Sequence, residues 1–92
     1  MIGMKAVPVP IDSLVARRIG EETILVNESG DTLHTLNETG SFVWSLIDGR
    51  RSLGEILSFM GKEYDLPADA AEKEVADFVQ ELAQRGLVRV AE

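Results

Sequence analysis

Residues 36–57 read LNETGSFVWSLIDGRRSLGEIL, and this stretch decides the fold. It holds two helix starts separated by one turn. Asn37 is a good N-cap, because its side-chain oxygen accepts one of the donors that a first helical turn leaves unpaired. Glu38 follows at the positive end of the helix. Phe42, Val43, Leu46 and Ile47 then recur at helical spacing, with Trp44 on a flank. Asp48-Gly49 ends this helix, Gly49 fitting a left-handed cap. Ser52-Leu53-Gly54-Glu55 is a capping box, S-x-x-E, and opens a second helix. Leu53, Ile56, Leu57 and Met60 form its apolar stripe, with Phe59 and Tyr64 beside it.

Downstream, Pro67 sits where a first turn tolerates proline. A third helix carries Ala71, Val75, Phe78, Val79 and Leu82 on one face, with Arg85 near its negative end and Gly86 closing it. Residues 37–86 therefore read as three helices. Upstream, residues 14–36 read as strands: Leu14 to Ile19, Glu22 to Asn27, and Thr32 to Leu36. Gly20-Glu21 divides the first two. Asn27-Glu28-Ser29-Gly30-Asp31 is a turn cluster with Gly30 available for positive φ. A three-stranded meander this small must pack on helices. The pattern predicts an α+β, winged-helix-like domain over residues 14–92, a three-stranded antiparallel sheet followed by three helices. Residues 1–13 read as an extended N-terminal arm, since Pro8 and Pro10 keep Val9 out of the helical region. Ile2, Val7, Val9 and Ile11 are available to pin it. Leu87 to Val90 reads as a short final extended segment.

The composition narrows the function. The chain has 92 residues, with 9 Lys plus Arg against 16 Asp plus Glu, a net charge of −7. Such a surface repels phosphate backbones, which argues against nucleic acid as a partner. Cysteine is absent and there is one histidine. That excludes disulfides, thiol nucleophiles and multi-His metal sites. No apolar run reaches the roughly 18–20 residues of a membrane span. The first residues lack the apolar core and cleavage site of a signal peptide, which points to the cytoplasm. Asp69 and Glu72, or Asp77 and Glu81, lie on neighbouring helical turns. Acid–base work needs a pocket that shifts their pKa values, and a small helical surface seldom supplies one. Neither catalysis nor a cofactor is expected.

Leu36 to Leu57, together with Phe78 to Val88 (FVQELAQRGLV), resembles the PqqD family. The shared elements are Leu36-Asn37 opening a helix, the turn Asp48-Gly49-Arg50-Arg51-Ser52, and the closing Leu82 to Leu87 step. The likeness covers roughly residues 14–90. Ile47 stands where the pyrroloquinoline-quinone members often carry cysteine, so the resemblance is to the wider family. It implies a peptide chaperone, or precursor-peptide recognition element. Such a domain binds the leader of a ribosomally made peptide and presents it to a modifying enzyme, often a radical S-adenosylmethionine protein. In that family the leader adds a strand beside the third strand and rests on the third helix. The resemblance thus places a groove between Thr32, Leu33, His34, Thr35 and Leu36 and the helix of residues 68–85.

On that helix the expected contacts are Ala71, Glu74, Val75, Phe78 and Glu81. The same apolar stripe also reads as plain core. Glu74, Glu81 and Arg85 flank it on one side, and Glu72, Ala76 and Ala83 on the other; the pattern prefers the flank of Glu74 and Glu81. The third helix is acidic, which favours a leader with Lys or Arg or a basic enzyme face. Leu33, His34 and Thr35 read either as contacts to an added strand or as an ordinary edge. Arg50-Arg51 reads as a solvated turn or a dock for an acidic surface, and Trp44 as core or as an interface anchor. Two rivals stand beside the chaperone: an adaptor of the same family for another protein, and a winged-helix DNA-binding regulator. The exposed strand edge is compatible with a monomer or with a homodimer, including a domain-swapped one.

Overall fold

The computed structural model describes residues 3–27, 30 and 33–91. Among the described residues five strands and three helices follow one another. Val15–Ile19 (β2), Glu22–Val26 (β3) and Leu33–Leu36 (β4) form an antiparallel sheet in the order β2-β3-β4. Gly30 takes φ +76° in the β3–β4 connection, and its N–H reaches the Asn27 carbonyl at 3.0 Å. Glu28, Ser29, Asp31, Thr32 and Ile2, each given a role above, lie outside the described residues.

The helices are Glu38–Leu46 (α1), Leu53–Tyr64 (α2) and Ala68–Gln84 (α3). Asn37 caps α1, its side chain accepting from the Gly40 N–H at 2.8 Å. At the start of α2 all four donors of the first turn are paired. Ser52 N–H donates to Glu55 Oε1 at 3.0 Å, and Glu55 N–H to Ser52 Oγ at 3.2 Å. Leu53 N–H donates to the Ala6 carbonyl at 2.8 Å, and Gly54 N–H to the Met4 carbonyl at 2.9 Å. A helix end with no unpaired donor is held in place by its neighbours as well as by its own cap.

That arrangement ties the N-terminal segment into the fold. Val7–Pro10 is a strand, β1, paired antiparallel with Val88–Ala91, β5, in a second two-stranded sheet that the sequence reading lacked. Proline survives in a strand where its missing N–H faces away from the ladder. Ile11 N–H donates to the Leu87 carbonyl. Val7 and Val9 share that parity, so Pro8 and Pro10 face the free side. Ala6 and Pro8 are buried.

One core joins the layers: Leu25 from β3, Val43 and Ile47 from α1, Leu53, Ile56 and Met60 from α2, Val75, Val79 and Leu82 from α3, and Val88 from β5. Trp44, Phe42 and Leu57 pack partly buried against it, whereas Phe59 is exposed. The ring of Phe42 meets Tyr64 edge to face at 5.5 Å. The α1–α2 turn is built on Asp48. Its Oδ1 accepts from the N–H groups of Arg50 and Arg51 at 2.9 Å each, and its Oδ2 binds Arg51 Nη1 at 3.1 Å. Those donors hold the Asp48 carboxyl below the usual carboxylate range. Helix α1 itself ends earlier, at Leu46 with Ile47 as its C-cap, and Gly49 takes its positive φ inside the turn. Among the described residues no helix is long and apolar enough to cross a membrane.

Candidate functional site

β4 is an edge strand. Among the described residues it pairs with β3 on one side only, with Leu25 opposite His34 and Val26 opposite Leu33. Strand alternation turns Leu36 and His34 to the face shared with Thr23 and Leu25, and Leu33 and Thr35 to the outer face. Leu36 is buried at 8% exposure, while Leu33 is 63% exposed. On the outer face Leu33 continues a row through Val26 to Val15, and Thr35 a row through Ile24 to Arg17. The free edge offers backbone donors and acceptors to any extended segment that arrives.

Beside the end of β4, α3 lines two adjoining cavities. The larger, about 510 Å³, lies along Leu66, Ala70, Glu74 and Phe78, with Lys73, Asp77 and Glu81 on its rim. The smaller, about 270 Å³, enters between α3 and the start of α1. Glu74 and Phe78 form one wall, and Asn37, Thr39 and Gly40 the other, above Val43 and Met60. Gly40 makes the approach possible. A Cβ there would stand 3.3 Å from Phe78 Cε1 and 3.4 Å from Leu36 Cβ. The last residue of β4 and the aromatic ring of α3 thus meet at one residue without a side chain.

The rim charges are mostly matched. Lys73 Nζ lies 3.2 Å from Asp77 Oδ2, and Arg85 Nη2 lies 3.6 Å from Glu81 Oε1. Both pairs span one helical turn. At the mouth of α1, Glu38 faces Glu21 of the β2–β3 turn. A hydrogen bond to Glu21 and the repulsion between the two carboxylates push the Glu38 carboxyl above its ordinary value. Burial, reinforced by Glu38 and Glu63, raises the Tyr64 hydroxyl.

The family model for Coenzyme PQQ synthesis protein D (PqqD) matches residues 22–88, from β3 to the first residue of β5. The chain belongs to the PqqD family. Among solved structures it is similar to TbiB1 in complex with the TbiA(beta) leader peptide. That match has 27% identity and a TM-score of 0.82, over 88% of this chain and 94% of that one. It is also similar to a lasso peptide synthetase B1 complexed with its leader peptide. There the identity is 17% and the TM-score 0.80, over 89% of this chain and 96% of that one, a likeness of fold. No curated protein matches the chain.

The structure of this PqqD-family chain sorts the residues expected at a groove into three groups. Glu74, Phe78 and Glu81 line the larger cavity together, on the flank the helical pattern preferred. Leu33, His34 and Thr35 lie on the edge strand, with Leu33 and Thr35 outward. Ala71 and Val75, each 1% exposed, and Leu36 are buried in the core, Ala71 also lining a cavity between α2 and α3. The physical reason is the helical stripe itself, which turns Ala71 and Val75 inward with Val79 and Leu82. Thr32 lies outside the described residues. The sequence reading missed Leu66 and Ala70. They fall at four-residue steps before Glu74 and Phe78, so the row Leu66-Ala70-Glu74-Phe78 was the available signal. It also read Asn37 as a cap without the cavity it borders, and gave Gly40 no role.

Proposed function

We propose that this PqqD-family chain is a non-catalytic peptide chaperone. It takes the leader of a ribosomally made precursor peptide as an added strand on β4. It then presents the attached core peptide to a separate modifying enzyme, the radical S-adenosylmethionine type being one candidate. The observation that supports this most directly is that Gly40 brings Leu36, the last residue of the β4 edge strand, close to the Phe78 ring that lines both cavities. It occurs in a fold shared at TM-score 0.82 with a protein solved on a leader peptide. Main-chain hydrogen bonds along the edge supply affinity for any extended segment, and side chains that drop toward Phe78 and Ala70 supply selectivity.

The mechanism is positioning. A leader held on the domain keeps the core peptide near the enzyme bound to the same domain. The second encounter becomes intramolecular, at an effective concentration in about the millimolar range for a short flexible tether. Nothing in this role asks the domain to move a proton. Two of the exposed carboxylates of α3, Asp77 and Glu81, pair with Lys73 and Arg85.

An NMR titration of labelled protein tests the reading, first with the TbiA(beta) leader and then with the leader half of any short peptide encoded beside the gene. Shifts gathered on residues 33–36, 40, 74, 78 and 81 support it. A titration that leaves these residues unmoved with every such leader at high excess sinks it.

A further inference from the structure

The charges along the groove are unequal. Lys73 is drawn to Asp77 and Arg85 to Glu81, each cation to the carboxylate four positions away on α3. Among the described residues the Glu74 side chain makes no ion pair and no hydrogen bond. Yet Glu74 is the carboxylate that lines both cavities. It is exposed, so its acceptors stay solvated and ready for exchange. One turn further on, the half-buried ring of Phe78 lines the same two cavities.

A carboxylate one turn from an aromatic ring fits one class of side chain. Lys and Arg lay their aliphatic stems on apolar surface while the charged head finds an acceptor. A guanidinium or ammonium over a ring face also gains a cation–π attraction. A neutral polar side chain would gain neither, and an acidic one would be repelled. Spacing adds a second requirement. Residues four apart on α3 lie about 6 Å apart along its axis, and same-face residues of an extended strand about 6.7 Å apart. An extended segment running along α3 with one side chain level with Glu74 therefore brings the side chain two positions away level with Ala70, where Leu66 also lines the cavity. That neighbouring stretch of the larger cavity is apolar.

We propose that Glu74 is the specificity-determining residue of the groove. It selects leaders in which a Lys or Arg stands two positions from an apolar residue, the cation seated over Phe78 and paired with Glu74. This rests on the leader-binding reading and names the chemistry of the leader this chain takes.

The test uses the intact protein and a random peptide library displayed on phage, with affinities of the selected peptides measured by fluorescence polarisation. Wild type should enrich Lys or Arg at a fixed two-residue step from an aliphatic or aromatic residue. Glu74→Gln should lose that enrichment and bind the selected peptide about three- to tenfold more weakly. Glu74→Lys should prefer the same peptide with its basic residue changed to Glu. Circular dichroism melts check that these exposed-site variants stay folded. Two results overturn the assignment while leaving leader binding intact: selected peptides without a basic preference, or a basic preference unchanged in Glu74→Gln. If folded wild type enriches no peptide and ignores the TbiA(beta) leader, the leader-binding reading falls, and the assignment with it.

Discussion

The ring of Phe78 on α3 rests against the backbone of Gly40 on α1, its Cε1 3.3 Å from where a Cβ would stand. Asn37 Oδ1, which caps α1, lies at the same 3.3 Å. An alanine at this position gains helix propensity worth about 1 kcal/mol. It also presses on the cap, on Leu36 and on Phe78, an overpacking cost of about 1–3 kcal/mol. The ring is the neighbour most free to move. Gly40→Ala should lower stability by about 1 kcal/mol by urea unfolding. It should also displace the Phe78 ring resonances and weaken peptide binding. Unchanged Phe78 shifts in the variant would contradict this account of the contact.

Leu33 separates binding from stability. It is 63% exposed on the outer side of the edge strand and supports little of the core. Surface changes of this kind usually stay within about 0.5 kcal/mol. Leu33→Ala should leave the melting curve nearly unchanged and reduce the affinity for a leader that lies along β4. A variant that melts early, or that binds as tightly as wild type, would remove Leu33 from the site.

The N-terminal segment behaves as part of the domain. Ala6 is buried, and its carbonyl takes the Leu53 N–H at the start of α2. A carboxylate placed there would sit in the apolar core. Ala6→Asp should cost about 3 kcal/mol or more. Ser52→Ala, which removes one half of the capping box, should cost about 1 kcal/mol. Denaturant midpoints rank the two. An Ala6→Asp protein as stable as wild type would return residues 3–10 to the status of a loose arm.

What could be read from sequence divides by the range of the interaction. Asn37, Ser52 with Glu55, and Gly30 act on backbone groups within three residues, so their roles were visible in local order. The three-stranded meander was visible because each strand pairs with the next. The β1–β5 sheet was not, since it joins the two ends of the chain and two prolines disguise one strand as an arm. Ala71 and Val75 were assigned to core and groove at once, because a helical wheel gives a stripe but not the side that stays open. The cavity at Gly40 depends on where α3 crosses α1, a tertiary matter. So does Glu38, which looked favourable at a helix start until the fold placed Glu21 opposite it.

That last pair gives a pH signature with a definite sign. The folded state raises the Glu38 carboxyl above its ordinary value, chiefly through the hydrogen bond and repulsion with Glu21. Between the ordinary value and the raised one, the native state holds more protons than the unfolded chain. Stability therefore falls as pH rises through that window. The penalty is fully in force at neutral pH and is relieved as the solution is acidified. Asp48 has the opposite sign: its lowered carboxyl stabilises the fold above the ordinary value, and that contribution is lost as pH falls through the lowered one. Urea unfolding of wild type, Glu38→Gln and Asp48→Asn from pH 7 down to about 2, below the ordinary carboxylate values, separates the two. Glu38→Gln should be the more stable protein at pH 7, with its advantage shrinking toward acid. Asp48→Asn should be the less stable one, with its deficit shrinking only at the acid end. A Glu38→Gln curve parallel to wild type would mean that the two carboxylates do not meet in solution. The β2–β3 turn would then be free of α1.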